Sequence, residues 1–350
     1  MTATSVPVKV GLVAVPEAAP AVLYSLHEVL GSVGRVWEAV TGEAAPARAL
    51  QPLIIAEHQA AVCCRAGVTV TPDASFAAAG ALDVLIVPDL AVGIDEELRG
   101  RWPAAAAWIR ARYDAGTTVC SVCTGSLLLA EAGLLDGIEA TTHWSARSLF
   151  ERHYPGVLLR PERILVPSGR EHRIITSGGF ASWAELALYL VARFSGRAEA
   201  VRIAKVFVLG DRSDGQLPFS AMIRPTAHSD SLIERCQAWI AYHYADPAPV
   251  QRMVAYAGVS ARTFKRRFRA ATGYSPIEYV QTVRIEEAKH ILETTTQATD
   301  EVAAEVGYQD PASFRRLFKQ LTGLTPARYR QRFAAIGGPQ PTREDSAPAA

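Results

Sequence analysis

The sequence predicts a doubly wound α/β domain followed by an all-α domain, and three observations point to it. Across residues 8–195 short apolar runs alternate with helix-spaced segments, as in a mostly parallel sheet covered on both faces. Beyond residue 230 every periodic segment has helical spacing. That helical region also holds two copies of a single unit. Phe264, Arg266, Phe268, Thr272, Gly273, Pro276 and Tyr279 return, fifty residues on, as Phe314, Arg316, Phe318, Thr322, Gly323, Pro326 and Tyr329, the mark of a duplicated supersecondary module.

The first domain opens with an apolar run at 9–15, ended by Pro16. It reads as a strand feeding a helix at 21–30, where Val22, Leu26, Val29 and Leu30 recur at helical spacing. Residues 52–56 and 68–70 read as further strands, the second entered through the turn Arg65, Ala66 and Gly67. A buried strand at 81–88 precedes a helix at 96–115 with Trp102, Ala106 and Ile109 on one side. A strand at 117–122 leads into a helix at 125–132, and a strand at 173–176 with a long apolar helix at 181–194 closes the pattern. One more helix at 197–209 and the polar, turn-rich stretch 210–218 place a connecting helix and linker at 196–230.

The second domain, 231–333, reads as seven helices, at 232–244, 249–257, 261–271, 276–293, 299–306, 312–321 and 326–333. Helices this closely spaced pack as a compact all-α domain. The tail 334–350, rich in Pro, Ala and charged residues, is expected to be disordered.

A chain of 350 residues has room for two or three domains. It contains no run of about 18 apolar residues, and its start lacks the basic flank and apolar core of a signal peptide. A cytoplasmic protein with no membrane partner is therefore expected. Cys63, Cys64, Cys120, Cys123 and Cys236 form an odd, unframed set, which reads as free thiols in a reducing compartment. The net charge of +1 hides an asymmetry. Residues 230–333 carry 15 Lys and Arg against 11 Asp and Glu, whereas residues 1–229 carry 20 against 22. Arg262, Lys265, Arg266, Arg267 and Arg269 fall in one short helix with no acid among them, and Arg315, Arg316, Lys319, Arg328, Arg330 and Arg332 form a second group. One such run is ordinarily a solvated face, but two at equivalent places in a repeat point to a polyanion partner.

Phe264 with Phe268, and Phe314 with Phe318, sit at i and i+4 and so define a buried face in each copy. Arg262, Lys265, Arg266 and Arg269 follow i, i+3, i+4 and i+7 and share the other face. Each copy is preceded by a small-residue helix and a glycine turn, at Gly258 and Gly307, which lets two helices cross closely. Ser260 and Asp310 suit the N-cap of the second helix of each pair.

On these features residues 231–333 resemble the DNA-binding domain of the AraC/XylS family of transcription regulators, including the long helix 276–293 that joins its two helix-turn-helix units. The resemblance implies recognition helices at 261–271 and 312–321, inserted into successive major-groove segments on one side of double-stranded DNA. It places Arg262, Lys265 and Arg266 at base-facing positions of the first helix, with Arg269 toward phosphate. Ala312, Arg315 and Arg316 are equivalent on the second, and Lys319 adds to its basic surface. The chemistry agrees, because the arginine fork matches guanine O6 and N7, worth roughly 1–3 kcal/mol of discrimination. Arg267 leaves the i+3/i+4 row and reads as a plain surface residue. Asp300 and Glu301 open the helix 299–306, where acids suit the helix dipole.

In the first domain, residues 118–144 place Cys123 between a strand and a helix. A thiol there meets the helix N-terminus, which lowers its pKa and favours thiolate. The turn has nucleophile-elbow character, with backbone N–H groups available to an anion, and His143 follows as a candidate base. Residues 8–195 resemble the DJ-1/PfpI superfamily, related to class I glutamine amidotransferases. Joined to the AraC-type domain, the whole is similar to the GlxA family of transcription regulators. That resemblance implies a flavodoxin-like sensor domain that often dimerises, with Cys123 at the superfamily's elbow and His143 at its nearby histidine.

Two positions depart from the superfamily. Val22 stands where its enzymes carry an acid in the opening helix, with Glu17 and Glu28 displaced, and Thr124 follows the cysteine where the hydrolase-like branch has a histidine. The expectation is a ligand pocket at Cys123, Thr124, Gly125, His143, Trp144, Gly178 and Gly179, without catalysis. Simpler readings exist for some of these: Gly178 and Gly179 form a tight strand-to-helix turn, and Trp144 suits a core. Cys120 and Cys123 form a CxxC with no second Cys/His pair spaced for zinc, so neither metal nor cofactor is expected.

Together these features predict a homodimeric, sequence-specific DNA-binding transcription regulator, paired through residues 1–195. Its further partners would be an unidentified small-molecule effector bound near Cys123 and His143, and RNA polymerase. Two other classes stay open. One is a cysteine-dependent enzyme, of hydratase, glyoxalase-like or amidase type, with an attached DNA-binding domain. The other is a constitutive DNA-binding protein with an inert first domain.

Overall fold

The computed structural model describes residues 6–333 apart from 46, 94, 211–214 and 223–227. The expected disordered tail at 334–350, and those stretches of the expected linker, lie outside the described residues. Two compact units divide between Gln216 and Leu217.

The first unit contains strands β1 (Val8–Val13), β2 (Leu50–Ala56), β3 (Val62–Cys63), β4 (Thr69–Val70), β5 (Ala74–Ser75), β6 (Val84–Val87), β7 (Thr118–Val122), β8 (Glu139–Ala140), β9 (Leu158–Leu159), β10 (Leu165–Ser168) and β11 (Ile174–Ser177). Its helices are α1 (Pro20–Gly31), α2 (Val36–Thr41), α3 (Pro103–Asp114), α4 (Ser126–Glu131), α5 (Arg147–His153), α6 (Trp183–Ser195) and α7 (Arg197–Val206). Among the described residues the main sheet has seven strands in the order β10-β11-β7-β6-β1-β2-β5. All neighbours are parallel except β10 with β11. Every residue of β6 and β7 is buried; β6 accordingly reads as an unbroken apolar run, while β7 also buries the polar Thr118 and Ser121. The strand order turns back on itself at β1 and β6, so the carboxyl ends of β1, β6 and β7 form the edge where such folds open a crevice.

Several boundaries differ from the sequence reading, each for a local reason. The helix expected at 96–115 starts only at Pro103, because proline disfavours a helical residue before it and Gly100 adopts φ +74°. The expected strand at 68–70 pairs with β3 in a separate ribbon and not in the main sheet. The helix expected at 197–209 ends at Val206 and packs on α6 and α2 inside the first unit. Its Glu199, only 1% exposed, accepts from Gly34 N–H at 2.8 Å and pairs with Arg202 at 3.2 Å. The first unit therefore extends through Gln216, beyond the expected end at 195.

The second unit holds α8 (Ser231–His243), α9 (Pro249–Ala257), α10 (Ala261–Thr272), α11 (Pro276–Thr294), α12 (Thr299–Glu305), α13 (Pro311–Thr322) and α14 (Pro326–Phe333). Two cores lie along α11. Phe264, Phe268, Tyr279 and Val283 join Ile233, Cys236, Ile240 and Met253 in one, and Ile285, Leu292, Phe314, Phe318 and Tyr329 join Val302 and Val306 in the other. Each fully buried phenylalanine contributes about 1.5–3 kcal/mol by leaving water. Ser275 and Glu278 form a reciprocal capping box that starts α11. Gly258 ends α9 with φ +65°, and Gly307 follows α12 with φ +88°. Both lie in the left-handed region where glycine carries no Cβ penalty.

Candidate functional site

Cys123 sits where β7 ends, in a short 3₁₀ turn, Cys123–Gly125, that passes into α4. Its φ of +57° is one of six positive values outside glycine among the described residues, a strained conformation that neighbouring contacts must hold. Ser126 Oγ and Thr142 Oγ1 both donate to the Cys123 carbonyl, at 3.0 and 3.2 Å. A Cβ on Gly125 would meet the Pro88 carbonyl oxygen at 2.2 Å, so only glycine lets the turn lie against the end of β6.

The chemistry at this elbow is governed by Asp89, which follows β6 and is 4% exposed. Its Oδ1 lies 2.7 Å from Thr124 Oγ1, and its Oδ2 pairs with Arg65 Nη1 at 3.0 Å. Thr124 also accepts from Leu90 N–H at 3.0 Å, so this residue is engaged in fastening the β6 loop. The Cys123 thiol is pushed well above the usual thiol range by burial first, and then by the adjacent Asp89 carboxylate to which it donates. The expected thiolate is thereby overturned: a local helix end is outweighed by desolvation and a like-charge neighbour.

His143 caps the turn Trp144–Ala146, with Nδ1 accepting from Ser145 N–H at 3.3 Å and lying 2.6 Å from Ser145 Oγ. Burial lowers its pKa, partly opposed by Asp89, so the ring is neutral at pH 7. The Nδ1 contacts assign the proton to Nε2. No hydrogen bond joins His143 to Cys123 among the described residues. Trp144 packs against it with ring centroids 5.0 Å apart.

Gly178 and Gly179 follow β11, and Gly179 adopts φ +85°. A Cβ on Gly178 would meet Gln216 Nε2 at 2.0 Å. Gln216, 2% exposed, directs that nitrogen at the carbonyls of Thr142, Pro161 and Arg163, at 2.8, 3.0 and 3.0 Å. Gly178 is therefore the floor of a socket occupied by the chain's own glutamine. A separate cavity of about 580 Å³ opens beyond β1 and β2, beside Glu17, His58, Phe76, Arg101 and Trp102. None of the expected pocket residues lines it. Glu17 there accepts from Arg101 at 3.0 Å and from Trp102 Nε1 at 3.1 Å.

In the second unit, Phe264 and Phe268 are fully buried while Arg262, Lys265, Arg266 and Arg269 lie toward solvent on α10. No ion pair reaches Arg262, Lys265 or Arg266 among the described residues. Arg267 turns away and forms a two-pronged pair with Asp230, the N-cap of α8, at 2.9 and 2.7 Å. On α13, Ala312, Arg315, Arg316 and Lys319 are likewise exposed. Arg315 pairs with Asp300 of α12, and Arg316 donates to Ser313 Oγ at 3.0 Å. Asp300 thus has a role beyond the helix dipole.

Residues 37–193 match the family model described as DJ-1/PfpI family, and residues 253–332 match that described as Helix-turn-helix domain. The HTH-type transcriptional regulator CdhR of Pseudomonas aeruginosa is 30% identical over 256 residues, covering 72% of this chain and 74% of CdhR. The chain belongs to the HTH-type transcriptional regulators that carry a DJ-1/PfpI domain. GbdR of Pseudomonas aeruginosa is 26% identical over 269 residues, covering 76% of this chain and 70% of GbdR. GlxA of Rhizobium meliloti is 26% identical over 221 residues, covering 62% and 66%.

For a regulator of this family, the sequence reading missed three residues beside the elbow: Asp89, Arg65 and Gln216. Asp89 had a legible signal, since it is an acid placed directly after a buried strand at the sheet's switch point. Arg65 and Gln216 had none, because loops far away in sequence carry them into place.

Proposed function

We propose that this regulator binds double-stranded DNA sequence-specifically through α10 and α13, as a homodimer in the cytoplasm. The observation that carries the reading is the row Arg262, Lys265 and Arg266, without an acidic partner among the described residues and opposite the buried Phe264 and Phe268. Unpaired cations at the start of a helix-turn-helix second helix meet base edges and phosphates without first breaking internal bonds. The test is binding of the full chain to duplexes selected from a random pool. Lys265→Ala with Arg316→Ala is expected to lower affinity about a hundredfold, well beyond Arg267→Ala. Equal losses would show that another face reads DNA.

We further propose that the first unit senses a small-molecule effector at Cys123, Thr124, Gly125, His143, Trp144 and Gly179, beside the socket that Gln216 fills at Gly178, and passes the signal to DNA binding and RNA polymerase. A thiol kept protonated by burial and by Asp89, with no hydrogen bond to His143 among the described residues, supports recognition over nucleophilic catalysis. Gln216 supports the coupling, because it roots the chain that enters the second unit in the Thr141–Thr142 segment, whose Thr142 also holds the Cys123 carbonyl. Turnover of a carbonyl or nitrogenous metabolite that is lost in Cys123→Ser would instead establish the enzyme.

A further inference from the structure

α11 passes from the first helical core to the second between Val283 and Ile285, and the residue at the crossing is Arg284. Its half-buried guanidinium donates from Nε to the Tyr244 carbonyl at 2.7 Å, from Nη2 to the Asp246 carbonyl at 3.1 Å and from Nη1 to the Gly307 carbonyl at 2.9 Å. The same group lies over the Tyr308 ring, 5.2 Å from its centroid. Tyr244 and Asp246 belong to the turn that leads into α9, the first helix of the first helix-turn-helix pair. Gly307 lies in the turn between α12 and α13, inside the second pair. One side chain therefore grips the root of one pair and the hinge of the other. The two turns also touch directly, since a Cβ on Gly307 would come within 2.4 Å of the Ala245 carbonyl oxygen.

We propose that Arg284 is a positioning residue that fixes the separation and relative rotation of the two recognition helices, and so the spacing of the two DNA segments the protein accepts. The inference rests on the DNA-binding reading above. A planar guanidinium holding three carbonyls from two modules fixes both distance and angle, because its donors radiate from one rigid plane. DNA imposes the complementary constraint. One base pair more or less between two major-groove segments moves the second along the axis and rotates it by about a tenth of a turn. A rigid pair of recognition helices then loses one contact set, whereas a loosened pair follows the groove.

The experiment uses the full chain and the duplex it selects from a random pool, footprinted to locate the two segments contacted by the α10 and α13 of one protomer. That duplex is compared with versions having one base pair inserted or removed between the segments, and with one retaining a single segment. Wild type is expected to lose roughly tenfold in affinity for either altered spacing. Arg284→Met is expected to lose threefold or less, while binding the single-segment duplex as wild type does. Arg284→Gln, which keeps one amide donor group, is expected to fall between, and is the variant read if circular dichroism shows Arg284→Met unfolded. A variant that melts earlier yet keeps the wild-type spacing penalty would overturn the proposal and leave Arg284 a stabilising residue only. A wild-type chain that enriches no sequence would instead overturn the DNA-binding reading.

Discussion

The helices α10 and α13 share a buried face almost atom for atom and differ on the exposed one. In both, a phenylalanine pair at i and i+4 is fully buried, and the second ring meets a tyrosine of the next helix edge-on at 5.3 Å, Phe268 with Tyr279 and Phe318 with Tyr329. In both, a threonine hydroxyl donates 2.8 Å back to that phenylalanine's carbonyl, and a glycine at φ +76° ends the helix. The surfaces diverge. On α10 Arg262, Lys265 and Arg266 have no ion-pair partner among the described residues, whereas on α13 Arg315 is held by Asp300 and Arg316 leans on Ser313. Packing tolerates little change after duplication, because a lost methylene leaves a cavity, but a solvated face is free to specialise. The two helices are thus one scaffold with two basic faces, one paired and one not.

The shared face is broken most severely by removing a ring. Phe268→Ala and Phe318→Ala are each expected to destabilise the second unit by about 3–5 kcal/mol. Denaturant unfolding of the full chain measures both, and a clear inequality would mean the two cores are not equivalent. The difference between the exposed faces is sharpened by paired substitutions followed by titration on the selected duplex. Lys265→Ala with Arg266→Ala is expected to cost about a hundredfold in affinity, and Arg315→Ala with Arg316→Ala about tenfold. The smallest effect runs the other way. Asp300→Ala releases Arg315 and is expected to raise affinity by about twofold to fivefold, in line with the modest strength of an exposed ion pair. A loss on that substitution would show that Asp300 orients Arg315 and does not compete with the DNA for it.

Legibility followed the range of the interactions involved. The helices of the second unit were readable because Phe264 with Phe268, Ser260, Gly273 and their counterparts act within one or two turns. The separation of Arg267 from the basic row was readable from spacing, though its bond to Asp230 was not. In the first unit the alternating apolar runs identified the central strands, but the ends of α3 and the membership of α7 depended on packing partners outside their own segments. At the elbow the position of Cys123 was readable from a strand-to-helix junction, and its protonation state was not. A helix N-terminus is a local feature, whereas the desolvation and Asp89 that dominate the thiol arise only when β6 and β7 lie side by side.

By itself, the sequence determined that an α/β unit precedes a duplicated helical one and that α10 and α13 each keep a core side and a basic side. Both follow from periodicity and capping, which act between residues a few positions apart. Only the tertiary structure decided which charges are paired, with Arg315 bound to Asp300 and Arg267 to Asp230, and that Gln216 fills the socket beside Gly178. It also decided that Arg284 joins two turns far apart in sequence. Electrostatic and hydrogen-bond partnerships depend on distances in space, and linear spacing does not encode those until the chain has folded.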